Sequence, residues 1–237
     1  MKNTLLAIAI SSTLLSACGG GGSSDAPSST VAPATDSGGC LYNPALYQAG
    51  NTYSVESEYL DGSGAVTSRD TRSYVVNGPT VFDGYSVVEI QSSINKSTGA
   101  TQTIKDYYSL GSAEVLKYGF SSTSTFSGSS FTDTTHFVPP EREPHTLQKN
   151  VPFAQSFSAS GVTVDQTITY LGTESITVPA GTFSACKLQN VSTTNGSTSR
   201  VTVWVIADGR YQGLNAKMVD ETNVITKQSS KLTFNGL

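Results

Sequence analysis

The chain has 237 residues and a net charge of −4, with no cluster of lysine or arginine. That balance excludes electrostatic nucleic-acid binding. Only 14% of residues are charged, and serine with threonine makes up about a quarter of the chain. Tyrosine, valine and threonine are plentiful beside modest leucine and alanine, which favours strands over helices.

The chain opens with Lys2 and an apolar run from Leu5 to Leu15. A run of this length suits the core of an export signal, and a membrane-crossing helix needs about twenty apolar residues. Leu15-Ser16-Ala17-Cys18 follows at once. This end of the run resembles the lipobox of bacterial lipoproteins. The resemblance implies a signal peptide over residues 1–17 and a cysteine, Cys18, that carries diacylglyceryl and a further acyl chain such as palmitate. Two or more acyl chains anchor stably, at about 0.8 kcal/mol per buried methylene. The residue after the cysteine is Gly19 and not the aspartate of inner-membrane retention, so the resemblance implies the outer membrane, with the leaflet open. The plain alternative is an ordinary signal peptide with a cysteine nearby.

Residues 18–39 are glycine, serine, alanine, proline and threonine with few other types. Such a stretch buries too little to order itself, so it reads as a flexible tether to the lipid. With Cys18 lipidated, the three cysteines resolve into an anchor and a pair, Cys40 and Cys186. Export puts them where disulfides persist. Two separately buried thiols are the alternative.

Residues 40–237 read as one β-domain. Asn43 to Gln48 can form one short helical turn. Tyr53, Val55 and Tyr59 alternate with Glu56 and Glu58, the period of a half-buried strand. Asp61-Gly62-Ser63-Gly64 is a turn, and Ala65 to Val76 returns. Tyr85 to Ile90 and Thr101 to Tyr108 flank another hairpin. Residues 120–150 break the rhythm, first with a Ser/Thr/Gly/Phe stretch and then with Pro139-Pro140-Glu141-Arg142-Glu143-Pro144. They read as a proline-rich crossing between strand-rich halves. Beyond it, Cys186 to Val191 and Val201 to Ile206 flank Asn195-Gly196, the preferred pair for a tight hairpin turn.

Gly172 to Lys187, which includes Val178-Pro179-Ala180-Gly181-Thr182-Phe183, resembles a signature of periplasmic and lipoprotein domains of unknown function. Pro179 sets one backbone angle, Gly181 permits a positive φ, and Phe183 can plug the end of a core. The resemblance implies an antiparallel sheet. The expected fold is therefore all-β: a single, strongly curved sheet forming a half-barrel or open barrel.

No nucleophile elbow, phosphate loop, dinucleotide fingerprint or Ca²⁺ loop is written in the chain. His136 and His145 flank Glu141 and Glu143, but their spacing fits no single strand face. No catalytic residue, metal ligand or cofactor is expected. Tyr53, Tyr59, Tyr74, Tyr85, Tyr107, Tyr108 and Tyr118 could line a groove or simply pack. The expected function is a non-enzymatic outer-membrane lipoprotein that binds an apolar ligand or an envelope protein. The alternatives are a structural or surface-display lipoprotein and, less favoured, an envelope hydrolase or metal enzyme in which the two histidines converge.

Overall fold

Asp61 ends the first strand by bonding its own backbone. Its Oδ1 accepts from the Ser63 and Ala65 amides at 2.9 and 3.1 Å, so the chain reverses over residues 61–65. At Asn195 and Gly196 both residues take positive φ, 49° and 77°, and Thr194 pairs directly with Ser197. These are the turns the sequence signals. The computed structural model describes residues 38–96, 101–126, 128–221 and 225–236.

Twelve strands result: β1 Thr52–Leu60, β2 Val66–Phe82, β3 Tyr85–Lys96, β4 Thr101–Leu110, β5 Glu114–Phe126, β6 Ser129–Pro144, β7 Pro152–Ala159, β8 Val162–Val178, β9 Gly181–Thr194, β10 Ser197–Ile206, β11 Asn215–Asp220 and β12 Ile225–Asn235. Each pairs antiparallel with the next, and β1 also pairs with β12 from Thr52↔Asn235 to Leu60↔Thr226. The sheet is thus a closed barrel, which corrects the expected half-barrel. Closure removes the exposed edges that an open sheet would leave for aggregation.

The segment expected as a crossing is also strand. β5 and β6 run through it, and hydroxyls bridge them in a ladder: Ser121–Thr134, Thr123–Thr132 and Thr125–Ser130, at 2.8 to 3.0 Å. Its prolines are tolerated for a local reason. Residues 137–140 bulge out of register with β5, where Gly119 pairs with His136 and Lys117 with Glu141. On the other side β6 pairs with β7 only at Phe137 and Val138. A missing N–H at Pro139 and Pro140 therefore leaves no ladder bond broken.

That short pairing makes β6–β7 the seam of the barrel. Below it a side chain replaces the ladder: Gln155 Oε1 accepts from the Arg142 amide at 2.8 Å, and its Nε2 donates to the Arg142 carbonyl at 3.0 Å. The same Nε2 donates to Gln166 Oε1 at 2.6 Å. Net hydrogen-bond contributions are about 0.5–1.5 kcal/mol each, at the low end for exposed groups. Gln155→Ala should therefore cost about 1–2 kcal/mol and speed exchange of the Arg142 amide, read by hydrogen-exchange mass spectrometry. Unchanged exchange at Arg142 would show that the seam is held by other contacts.

One end of the barrel is plugged by the chain that precedes β1. Asn43 caps a 3-10 turn over Pro44–Tyr47, with its Oδ1 accepting from the Ala45 amide at 3.0 Å. Leu46 and Tyr47 enter the core among Tyr53, Val76, Ile90, Tyr108, Val115 and Leu232. Cys40 is bonded to Cys186, with the Cα atoms 6.3 Å apart, inside a second cluster of Leu41, Ile168, Tyr170, Leu188, Val203 and Val205. The outer wall is of opposite character. Glu56–Lys231, Glu58–Arg69, Glu89–Lys105 and Glu114–Arg142 pair across strands at 2.8 to 3.1 Å. These pairs put charge, and so water, against this part of the wall.

Candidate functional site: charged residues inside the barrel

Strand alternation decides what faces inward. Tyr53 and Val76 are core residues, and the register sets Tyr53 against Tyr74, Val55 against Arg72 and Ser57 against Asp70. Every second residue shares a face. Arg72 and Asp70 therefore follow Tyr74 into the interior. The same alternation turns Ser92 and Asp106 inward on β3 and β4. Opposite Tyr108 stands Lys117, which pairs on its other side with Glu141. Glu143 lies two residues further along β6, on the same face as Glu141. Gly119, at the β5 bulge, has a φ of 152°, and a Cβ there would collide with the Thr135 carbonyl. The bulge that aims Lys117 inward thus depends on glycine.

The first cluster centres on Lys117, only 5% exposed. Its Nζ lies 2.7 Å from Asp106 Oδ1. The same ammonium stands 5.6 Å from the Tyr108 ring centre and 5.8 Å from those of Phe120 and Phe137. Burial alone would lower its pKa, but Asp106, then Glu141 and Glu143, outweigh burial and raise it above the ordinary lysine value. Glu141 is raised by burial, with Lys117 and a Gln166 hydrogen bond pulling it back. Glu143 is raised well above the ordinary range, first by burial and then by Glu141. The Tyr47 hydroxyl donates to Glu143 Oε2 at 3.5 Å.

A second cluster adjoins it on β1, β2 and β12. The Tyr59 hydroxyl donates to Asp70 Oδ2 at 2.6 Å, and Lys227 Nζ lies 3.5 Å from the same oxygen. Burial lowers the Lys227 pKa against the pull of Asp70. Arg72 interacts with Tyr74, Asp106 and Asp70, which makes the two clusters continuous. Four carboxyl groups (Asp70, Asp106, Glu141, Glu143) here face three cations (Arg72, Lys117, Lys227). Glu143 Oε1 and Ser92 Oγ are buried without a hydrogen-bond partner. Such groups recruit water or a ligand.

The raised Glu143 has a thermodynamic signature. The folded state keeps a proton that the unfolded state releases. That stabilisation is complete below the ordinary glutamate pKa of about 4.3 and is lost as pH rises through the raised folded value. Glu143→Gln should remove this component, so urea midpoints measured from acid to neutral pH should vary less than in the unmodified protein. An unchanged pH slope would mean that Glu143 is not the responsible group.

The residues singled out in the sequence divide. Cys18 lies outside the described residues. Cys40 and Cys186 are joined, as the pairing argument expects. Pro179 and Gly181 make the β8–β9 turn, where the Ala180 amide donates to the Ser229 carbonyl of β12 at 3.1 Å. Phe183 packs against the core cluster. His136 faces outward, stacked on Phe82 with Nδ1 3.5 Å from Asp83 Oδ2. His145 instead stacks on Tyr42 with ring centres 3.7 Å apart, beside the plug. The two histidines therefore serve separate contacts. Tyr53, Tyr59, Tyr74 and Tyr108 belong to the interior, whereas Tyr85, Tyr107 and Tyr118 join Phe82 on the outer wall. Sequence reasoning missed Asp70, Arg72, Asp106, Lys117 and Glu143 as one site. The available signal was partial, because the register that turns these charges inward is not written in any one strand.

No protein-family model matches the chain, and no curated protein does. Two solved structures are similar to it. One is a "putative lipoprotein" from Parabacteroides distasonis, at 15% identity and a TM-score of 0.43, covering 79% of this chain and 96% of the other. The second is a "putative exported protein with YmcC-like fold" from Bacteroides fragilis, at 9% identity and a TM-score of 0.35, covering 78% and 96%. Likeness of this order says nothing of function or of a site.

Proposed function

We propose that the chain is a non-enzymatic lipoprotein of the bacterial outer membrane, anchored through Cys18, whose barrel is a receptor for a small polar ligand. The carrying observation is the interior: buried charges around Lys117, with Glu143 Oε1 and Ser92 Oγ lacking partners. An apolar ligand fits this lining poorly, because it would strip water from ions and offer nothing in return. The polar ligand replaces the apolar one expected from the sequence alone. Docking of an envelope protein is a second reading, favoured by Tyr85, which is 52% exposed and packs on Tyr118 over the buried Phe82–Tyr107 pair.

The test is native mass spectrometry of the full-length chain taken from cell membranes into detergent, then of its denatured extract. The expected result is diacylglyceryl and acyl mass on Cys18, with a stoichiometric polar molecule released on unfolding. Unmodified Cys18 would overturn the anchor. An intact mass with no bound molecule, after extraction under mild conditions, would overturn the receptor.

A further inference from the structure

We infer that the barrel's ligand is a small organic monocation, a protonated amine, that is seated against Glu143 and Glu141 and reaches them through the β6–β7 seam. The inference rests on the receptor reading above and narrows it to a ligand class.

Charge is the first argument. Four buried carboxyl groups meet three cations inside the wall, and the surplus is met by the proton that Glu143 keeps. An added ammonium would take that proton's place beside Glu143. This side chain is 3% exposed, its neighbours are Glu141, Asp106, Lys117 and Tyr47, and its Oε1 has no partner. Ser92, 1% exposed, brings a second unpartnered oxygen from β3 on the inward face. Both can accept a hydrogen bond once Glu143 ionises, and an ammonium group carries donors only.

The lining shows what it accepts. Lys117 already places one ammonium among Asp106, Tyr108, Phe120 and Phe137. A carboxylate with aromatic faces is the common recognition chemistry for such cations. Tyr47 and Tyr53 extend the aromatic lining on the Glu143 side, with Tyr47 5.3 Å from Tyr108. A metal ion is the weaker match, because among the described residues no three His, Cys, Asp or Glu side chains converge to hold one. Twelve strands enclose a wider interior than the eight whose side chains alone just fill it.

The route follows from the seam. Glu141 and Glu143 flank Arg142, whose backbone is tied to β7 only through the Gln155 side chain. Rotation of that one amide opens the wall directly outside both carboxyl groups. On binding, the amine keeps its own proton. The Glu143 carboxyl ionises to pair with it and gives one proton to solvent.

The experiment uses the full-length lipoprotein in detergent, with ethylamine and ethanolamine as probes and ethylene glycol as the neutral control. Calorimetry in two buffers of different ionisation enthalpy counts protons released. The expected result is binding of both amines but not of the glycol, with release of up to one proton. Affinity should be weaker by about tenfold or more in Glu143→Gln, the loss of one charge-assisted pair. In Gln155→Ala, stopped-flow association should be faster at similar affinity. Circular dichroism checks that each variant is folded, and Glu141→Gln serves if Glu143→Gln is not. Equal amine binding by the folded Glu143→Gln and Glu141→Gln variants overturns the seat. Association no faster in Gln155→Ala overturns the route. Failure of both amines, while a neutral or anionic molecule is released from the native protein, overturns the amine class and leaves the receptor standing. Failure of both amines with nothing released overturns the two readings together.

Discussion

Replacing Cys40 and Cys186 together by alanine is expected to lower stability by about 5 kcal/mol, the chain-entropy value for a loop this long. The bond closes 146 residues of separation. For a body of about two hundred residues this corresponds to a melting point lower by roughly 10–20 °C. The plug should feel the loss first. Cys40 is the covalent tie between the segment before β1 and the strand wall, and Leu41, Leu46 and Tyr47 of that segment pack inside. Thermal melts of the variant against the oxidised unmodified protein, with the reduced unmodified protein as a second bond-free control, check the claim. A loss below about 1 kcal/mol would mean that packing of the plug alone holds it.

The second large effect is expected at Lys117. Lys117→Met removes the cation but keeps much of the stem volume, leaving Asp106, Glu141 and Glu143 buried together. Breaking one partner from a buried ionic cluster typically costs about 3–5 kcal/mol. The sign with pH is decisive. Without the ammonium, which pulls both of them down, the Glu141 and Glu143 pKa values in the folded state rise further above their unfolded values. The folded variant then binds protons more readily than its unfolded chain, so its deficit is largest at alkaline pH and shrinks as pH falls toward about 4. Lys117→Arg, which keeps the charge, should show a smaller deficit and little pH dependence. A Lys117→Met deficit independent of pH would assign the residue to packing rather than charge.

How much of this was legible in the residues alone depends on what each pattern encodes. The hairpin at Asn195-Gly196, the turn at Asp61 and the short helical turn near Pro44 are local, and their side chains or backbone angles suffice to specify them. The cysteine pairing was legible by arithmetic. Closure was not, because no feature within Thr52–Leu60 names Ile225–Asn235 as its neighbour. Residues 120–150 misled because the prolines were weighed as breakers of any strand. They are harmless to a strand whose ladder is already interrupted on both sides.

The interior charges were hidden for a different reason. Alternation separates two faces, yet Arg69-Asp70-Thr71-Arg72-Ser73 is polar on both. Only the pairing of Tyr53 with Tyr74 tells which face turns inward. The tyrosines posed the same problem: seven similar residues, divided by register between the lumen and the outer wall. Glu141 and Glu143 were noted only as companions of two histidines. Their spacing of two, which aims both carboxyl groups at Lys117, was the more informative feature.

The pairing of β1 with β12 also sets an order of events. The first strand of the barrel has no hydrogen-bond partner on one side until the last residues of the chain arrive. Contacts that distant in sequence form slowly, since most of the chain must be gathered before they are rewarded. A chain emerging from its N-terminus therefore cannot close the barrel before β12 is available. Until then β1 is an unsatisfied edge open to pairing with another chain.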